Sequence, residues 1–175
     1  MKTLKKFLPL FLLVNVLLFL ICTHTLNTSI QIEAEAFTAA QGNVRIETDP
    51  RAGNIVRVEG QEAWLAFDVQ VTEVGRYRCE MNVASESVKP GALWLEDYYD
   101  NKDGRTYNIT SRIEIPAALN DAFSTVSKEG CPLNTGRHKM KLHVEHDSLK
   151  VNWIRFTLLK RHQFTPQILT QNMTE

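Results

Sequence analysis

Ala63-Trp64-Leu65-Ala66-Phe67-Asp68-Val69-Gln70-Val71 and, after Gly75, Tyr77-Arg78-Cys79-Glu80-Met81-Asn82-Val83 carry their apolar residues at every second position. A period of two belongs to a strand with one face toward a core and one toward water. Leu65, Phe67, Val69 and Val71 form the core face of the first run, with Ala66, Asp68 and Gln70 on the wetter face. Tyr77, Cys79, Met81 and Val83 do the same in the second, against Arg78, Glu80 and Asn82. The short polar connection around Glu73 and Gly75 predicts an antiparallel hairpin between the two runs.

Met140, Leu142 and Val144 repeat the pattern against Lys141, His143 and Glu145. Residues 93–99 and 105–115 flank Asp103-Gly104, a dipeptide suited to a tight turn, and predict a second hairpin with a longer tip. Residues 149–159 place apolar side chains on both faces (Val151, Trp153, Ile154, Phe156), as in a central strand or one with a bulge. Trp64 and Trp153 lie among these apolar residues and are expected in the core. No stretch has a convincing helical period, so the reading is an all-β sandwich.

The N-terminus is a different kind of segment. Residues 1–6 are basic, residues 7–22 are apolar apart from Pro9 and Asn15, and the chain turns polar at Thr23. This is the layout of a secretory signal, with cleavage expected near Thr25. The run is shorter than the roughly 20 residues a spanning helix needs. A retained anchor is the alternative, and lipid modification of Cys22 a weaker one, because Phe19, Leu20 and Ile21 are not the small residues such processing prefers. The chain therefore divides into residues 1–25 as signal peptide or anchor, 26–160 as one β-sandwich module, and 161–175 as a loose C-terminal tail. Secretion or the cell envelope is the expected location, with membrane contact only if the leader is retained or lipid-modified.

Of 20 basic and 20 acidic residues, Lys2, Lys5 and Lys6 fall in the leader with no acid, leaving 17 basic against 20 acidic. A mildly acidic module is a poor partner for nucleic acid, which binds through clustered Lys and Arg. Cys79 and Cys131 remain as an even pair. They are either a disulfide, stabilising by about 4 kcal/mol in an oxidising compartment, or two buried thiols. Sequons stand at Asn27, Asn108 and Asn172.

No Gly-x-Ser-x-Gly elbow, His-Glu-x-x-His, P-loop or dinucleotide fingerprint is present. His143 and His146 are three apart on a strand and point to opposite faces, a poor metal pair. The Asp-rich run at 100–104 lacks EF-hand ligands, with Tyr99 and Thr110 at its end positions. A non-catalytic protein is expected.

Five segments in order carry a resemblance: Ile30-Gln31-Ile32-Glu33-Ala34-Glu35-Ala36-Phe37; Ala63-Trp64-Leu65-Ala66-Phe67-Asp68-Val69; Gly75-Arg76-Tyr77-Arg78; Val83-Ala84-Ser85; and Leu149-Lys150-Val151-Asn152-Trp153-Ile154-Arg155-Phe156. Together they resemble the family 6 carbohydrate-binding modules of the galactose-binding-like superfamily, over residues 30–158. The resemblance implies a jelly roll of about nine to ten antiparallel strands, a polysaccharide or oligosaccharide ligand, and action beside secreted glycoside hydrolases.

Glu33 and Glu35, two apart in an extended run, put two like charges on one face, where a cation or basic group should neutralise them. The resemblance implies a structural Ca2+ held by this pair and Asn152. The alternative is a surface pair beside Lys or Arg.

The family's loop-edge sugar site is not matched. Its two aromatic positions fall near Arg57-Val58 and Asn120, and its Asn position is Lys150. Either that edge takes an acidic or sulfated glycan drawn to Arg57 and Lys150, with Glu59 accepting from a hydroxyl, or binding has moved. The place to look is Trp94, Tyr98, Tyr99 and Tyr107, mixed with Glu96, Asp97, Asp100 and Asp103, because aromatic faces cover sugar C–H faces and carboxylates take hydroxyls. Some members of the family bind glycans on the concave sheet face. The competing expectation buries Trp94 and one tyrosine in the core. It leaves a jelly-roll interaction or structural module that has lost sugar binding.

Overall fold

The computed structural model describes residues 28–98, 106–117 and 120–162. Among the described residues nine strands run in chain order: β1 (Ser29–Glu33), β2 (Ala39–Asp49), β3 (Gly53–Val71), β4 (Gly75–Ala84), β5 (Gly91–Asp97), β6 (Tyr107–Asn108), β7 (Ile113–Ile115), β8 (Ser124–Leu133) and β9 (Gly136–Arg161). A 3-10 turn, Ala34–Ala36, follows β1. Every ladder is antiparallel. The result is an all-β jelly-roll sandwich, with the expected strand number.

Strand β9 organises both leaves. Its first half lies between β3 and β5, with Trp64 and Trp94 both opposite His143. Its second half lies between β1 and β4, with Ile154 opposite both Ile32 and Met81. Strand β2 extends the first leaf beyond β3, and β8 extends the second beyond β4. The alternating residues close the interior as their spacing requires. Leu65, Phe67, Tyr77, Cys79, Met81, Met140, Leu142, Val151, Ile154 and Phe156 all belong to one buried cluster.

The expected hairpin between residues 65–71 and 77–83 does not form. Strand β3 pairs with β2 and β9, and β4 pairs with β9 and β8, so β9 separates them. Alternation fixes which face of a strand is buried but says nothing about its neighbour. The connection is a corner between leaves, and it is tightly made. Tyr77 donates its hydroxyl to Glu73 O at 2.6 Å, the Glu73 carboxylate holds Thr28 and Arg161, and a Cβ on Gly75 would stand 2.4 Å from Lys160 O.

The second hairpin forms as expected, with β5 facing β6 and β7; its Asp103-Gly104 tip lies outside the described residues. The closing strand is central and bulged: Asn82 opposes Trp153 and Val83 opposes Val151, which leaves Asn152 extra. The expectation that Trp64 and Trp153 lie in the core is corrected. Trp64 and Trp153 are half-buried and lie outside the core cluster, each with a cation over its ring. Cys79 and Cys131 are free buried thiols; Cys131 stands opposite Tyr77, Cys79 stands opposite Lys128, and the Cys131 thiol donates to Lys128 O.

Candidate functional site

Strand β5 reads Leu93-Trp94-Leu95-Glu96-Asp97, followed by Tyr98. Its alternation buries Leu93, Leu95 and Asp97 and turns Trp94, Glu96 and Tyr98 to the outer face. The same parity on β9 buries His138, Met140, Leu142 and Val144 and turns out Lys139, Lys141, His143 and Glu145. On β3 it turns out Trp64 and Asp68. Register then sets Trp64, His143 and Trp94 in one row across three strands, with Ala66, Lys141 and Glu96 in the next. Strands lie about 4.8 Å apart, so the two tryptophans start roughly 10 Å from one another.

Hydrogen bonds hold these rings. Glu96 is the hub, accepting from Trp94 Nε1 at 3.2 Å and from the Tyr98 hydroxyl at 3.3 Å. His143 Nε2 lies 3.2 Å from Glu96 Oε2 but off the line of a hydrogen bond. Trp64 Nε1 donates to Gln41 Oε1 at 3.0 Å. The His143 and Trp94 rings stack with centroids 5.1 Å apart and planes 3° from parallel. The Lys141 ammonium lies 4.2 Å from the Trp64 ring centre and 4.8 Å from that of Tyr98. Burial, then the neighbouring Glu96 charge, raises the Tyr98 phenol above its usual range, so its hydroxyl keeps its proton and donates. Burial lowers His143, outweighing Glu96, so the stacked ring is neutral near pH 7.

Of the residues expected to bind sugar, Trp94 and Tyr98 therefore come together on an open face, outside the core cluster. Tyr99, Asp100 and Asp103 lie outside the described residues. Tyr107 is exposed but stands opposite inward-facing Asp97, off this row. Sequence reading missed Trp64, His143 and Lys141.

The loop edge is different. Lys150 is 7% exposed and pairs with Glu86 and Asp121. Burial opposes its charge, but the hydrogen bonds it donates to those carboxylates prevail and raise its pKa. Arg57 binds Glu47 and Ser148, and Glu59 accepts from Asn43 and Arg45. Arg51 joins Asp49 to Asp121, and its hydrogen bonds hold the Asp49 carboxyl down to about 2. The positive charge expected to draw an acidic glycan to Arg57 and Lys150 is thus taken up by the chain's own acids.

No family model matches the sequence. The clotting factor G alpha subunit of Tachypleus tridentatus is 26% identical over 128 residues, 72% of this chain. The chain matches only 18% of that protein's length. The C-terminal family 6 carbohydrate-binding module of a marine laminarinase from Zobellia galactanivorans superposes with a TM-score of 0.57, at 20% identity, over 74% of this chain and 99% of that one. A module of Cellvibrio mixtus lichenase 5A, solved in complex with cellotriose, gives 0.58 at 23% identity over 74% of this chain and 97% of that one. The fold is that of the family 6 carbohydrate-binding modules.

Within this family 6 fold, the acidic residues of the opening strand are arranged otherwise than strand spacing suggests. Glu33 ends β1, whereas Glu35 sits in the 3-10 turn, so the two do not share a face by alternation. Glu33 accepts from Gln31, and Asn152 donates its amide to Asn82 Oδ1, which leaves the Asn152 oxygen as its ligand atom. Glu35 Oε2 is buried with no hydrogen-bond partner among the described residues. A buried acceptor in that state suits a cation.

The buried Ser85–His146 contact at 3.2 Å is not a nucleophile and its base. His146 Nδ1 accepts from Ser148 N, so the ring proton is on Nε2 and points at Ser85 Oγ, which itself donates to Ser148 O. Burial lowers His146 as it does His143. Depressed folded-state values favour the neutral rings, so their stability contribution is complete above about pH 6.5 and is lost as pH falls below it. Melting temperature is expected to decline from about pH 7 to pH 5, with a shallower slope in His146→Gln; an unchanged slope would remove His146 from the explanation.

Proposed function

We propose that this protein is a secreted, non-catalytic carbohydrate-binding module whose glycan lies on the outer sheet face across Trp64, His143 and Trp94. One observation carries the reading: Trp64, Trp94 and Tyr98 stand half-open together, with their polar edges already bonded to Gln41 and Glu96. Rings fixed before binding lose little entropy when a sugar settles on them. Their faces cover pyranose C–H groups, while Glu96, Gln41 and Lys141 offer partners to hydroxyls. The likeness in fold to the module solved with cellotriose supports a glycan ligand. The internally paired acids and bases at the loop edge favour the sheet face over that edge.

A structural Ca2+ at Glu35, Glu33 and Asn152 belongs to this reading, supported by the unsatisfied Glu35 oxygen. The test is titration of the protein against neutral and charged polysaccharides, with melting followed with and without chelator. Saturable binding, and a melting temperature lowered by chelation and restored by calcium, are expected. Folded protein that binds no glycan would turn the reading to a protein-interaction module.

A further inference from the structure

The outer face of β9 carries Arg137, Lys139, Lys141 and His143 at every second position. Extended chain rises about 3.4 Å per residue, so the three cations form a stripe with steps of roughly 7 Å, leading into the aromatic row. Their surroundings do not neutralise them equally. Arg137 approaches Asp68 at 4.0 Å, and Glu145 at the other end is paired with Arg112. Lys139 and Lys141 have no ion pair among the described residues, although Asp68 and Glu96 stand opposite them in register. Glu96 instead spends its oxygens on Trp94 and Tyr98.

Lys141 is the unusual member. Its ammonium rests against two ring faces, which hold a cation but accept no ordinary hydrogen bond. Three N–H donors and a full charge are thus fixed at the centre of the candidate glycan surface. Any acceptor oxygen can take these donors, and an anionic one meets the charge as well.

We propose, building on the sheet-face reading above, that the site selects glycans bearing anionic substituents, with Lys141 and Lys139 contacting the charge and Trp64 and Trp94 covering the ring. A carboxylate of a uronic acid and a sulfate ester supply the same chemistry. Matched pairs separate them: polygalacturonate against its methyl ester, and dextran sulfate against dextran.

Calorimetric titration of the protein with all four is expected to favour one charged member over its neutral counterpart by about tenfold or more, and the preference should shrink as salt rises toward ~0.5 M. Lys141→Met keeps an apolar stem beneath the rings and removes the charge. Lys139→Gln removes the neighbouring charge from an exposed position. Each is expected to lower the charged-to-neutral affinity ratio severalfold, with melting unchanged by Lys139→Gln. Equal binding of charged and neutral members, or a ratio that neither variant lowers, overturns this inference and leaves the sheet-face site standing. Absence of binding to all four, from folded protein, overturns this inference, and the sheet-face reading is then decided by the wider polysaccharide titration above.

Discussion

Replacing Trp64 and Trp94 together with alanine is expected to abolish glycan binding while the protein stays folded. Neither indole belongs to the core cluster, and both lie on the outer face of the leaf built from β3, β9 and β5. Each single substitution removes one ring from a preformed row, and truncation of an aromatic hot spot costs about 2 kcal/mol, or roughly 30-fold in affinity. The double variant falls below detection for a ligand of micromolar strength. Stability should fall by only about 1 kcal/mol per site, because what is lost is a half-exposed ring and one hydrogen bond, not core volume. Trp64→Phe keeps a flat face without the Gln41 bond and should retain much of the affinity. Titration with the best polysaccharide decides it. Undiminished binding by Trp94→Ala would move the ligand off this face, and the loop edge around Lys150 would be the next place to look.

Much of this surface was legible in the sequence, and what was missed has identifiable causes. Trp94, Tyr98 and Glu96 were picked out as members of one aromatic and acidic cluster, and the alternation of β5 sets these three on one face while turning Asp97 inward. The same parity assigned Ala66, Asp68 and Gln70 to the wetter side of β3, which places Trp64 with them; the indole was drawn toward the core by its apolar neighbours Ala63 and Leu65, against its own parity. His143 shares its face with Lys141 and Glu145, but only the pairing of β9 with both β3 and β5 brings it between two tryptophans. Pairing is a long-range property that a period of two does not encode. That is also why β3 and β4, adjacent in sequence and both well patterned, were read as a hairpin when β9 lies between them. For Trp153 parity fails, because the bulge at Asn152 shifts every later residue by one. Strand spacing likewise misplaced Glu35, since the chain leaves β1 one residue earlier.

A second large effect is expected beneath the site, at a pair the surface conceals. Asp97 points inward between Glu96 and Tyr98, and its carboxyl meets His138 Nδ1 at 2.7 Å, while the other ring nitrogen meets Asn134 O at 2.8 Å. Both side chains are buried, at 5% and 2% exposure. The bond crosses from the end of β5 to β9, two residues from the point where Asp97 faces Met140 in register. It therefore fixes the end of β5 that carries Glu96 and Tyr98 relative to Lys141 and His143. His138→Leu takes this partner from a buried acid, at a cost of about 3 kcal/mol, which lowers the melting temperature by roughly 10 °C. Replacing both members with leucine should cost less than the two single substitutions added together, because neither Asp97 nor His138 is then left facing an apolar replacement of its partner. Strictly additive losses would mean that the two side chains stabilise the fold independently. Glycan affinity gives the second readout: if the pair positions β5, His138→Leu weakens binding although residue 138 lies on the opposite face from every ring in the row, and Trp94→Ala adds little to that loss.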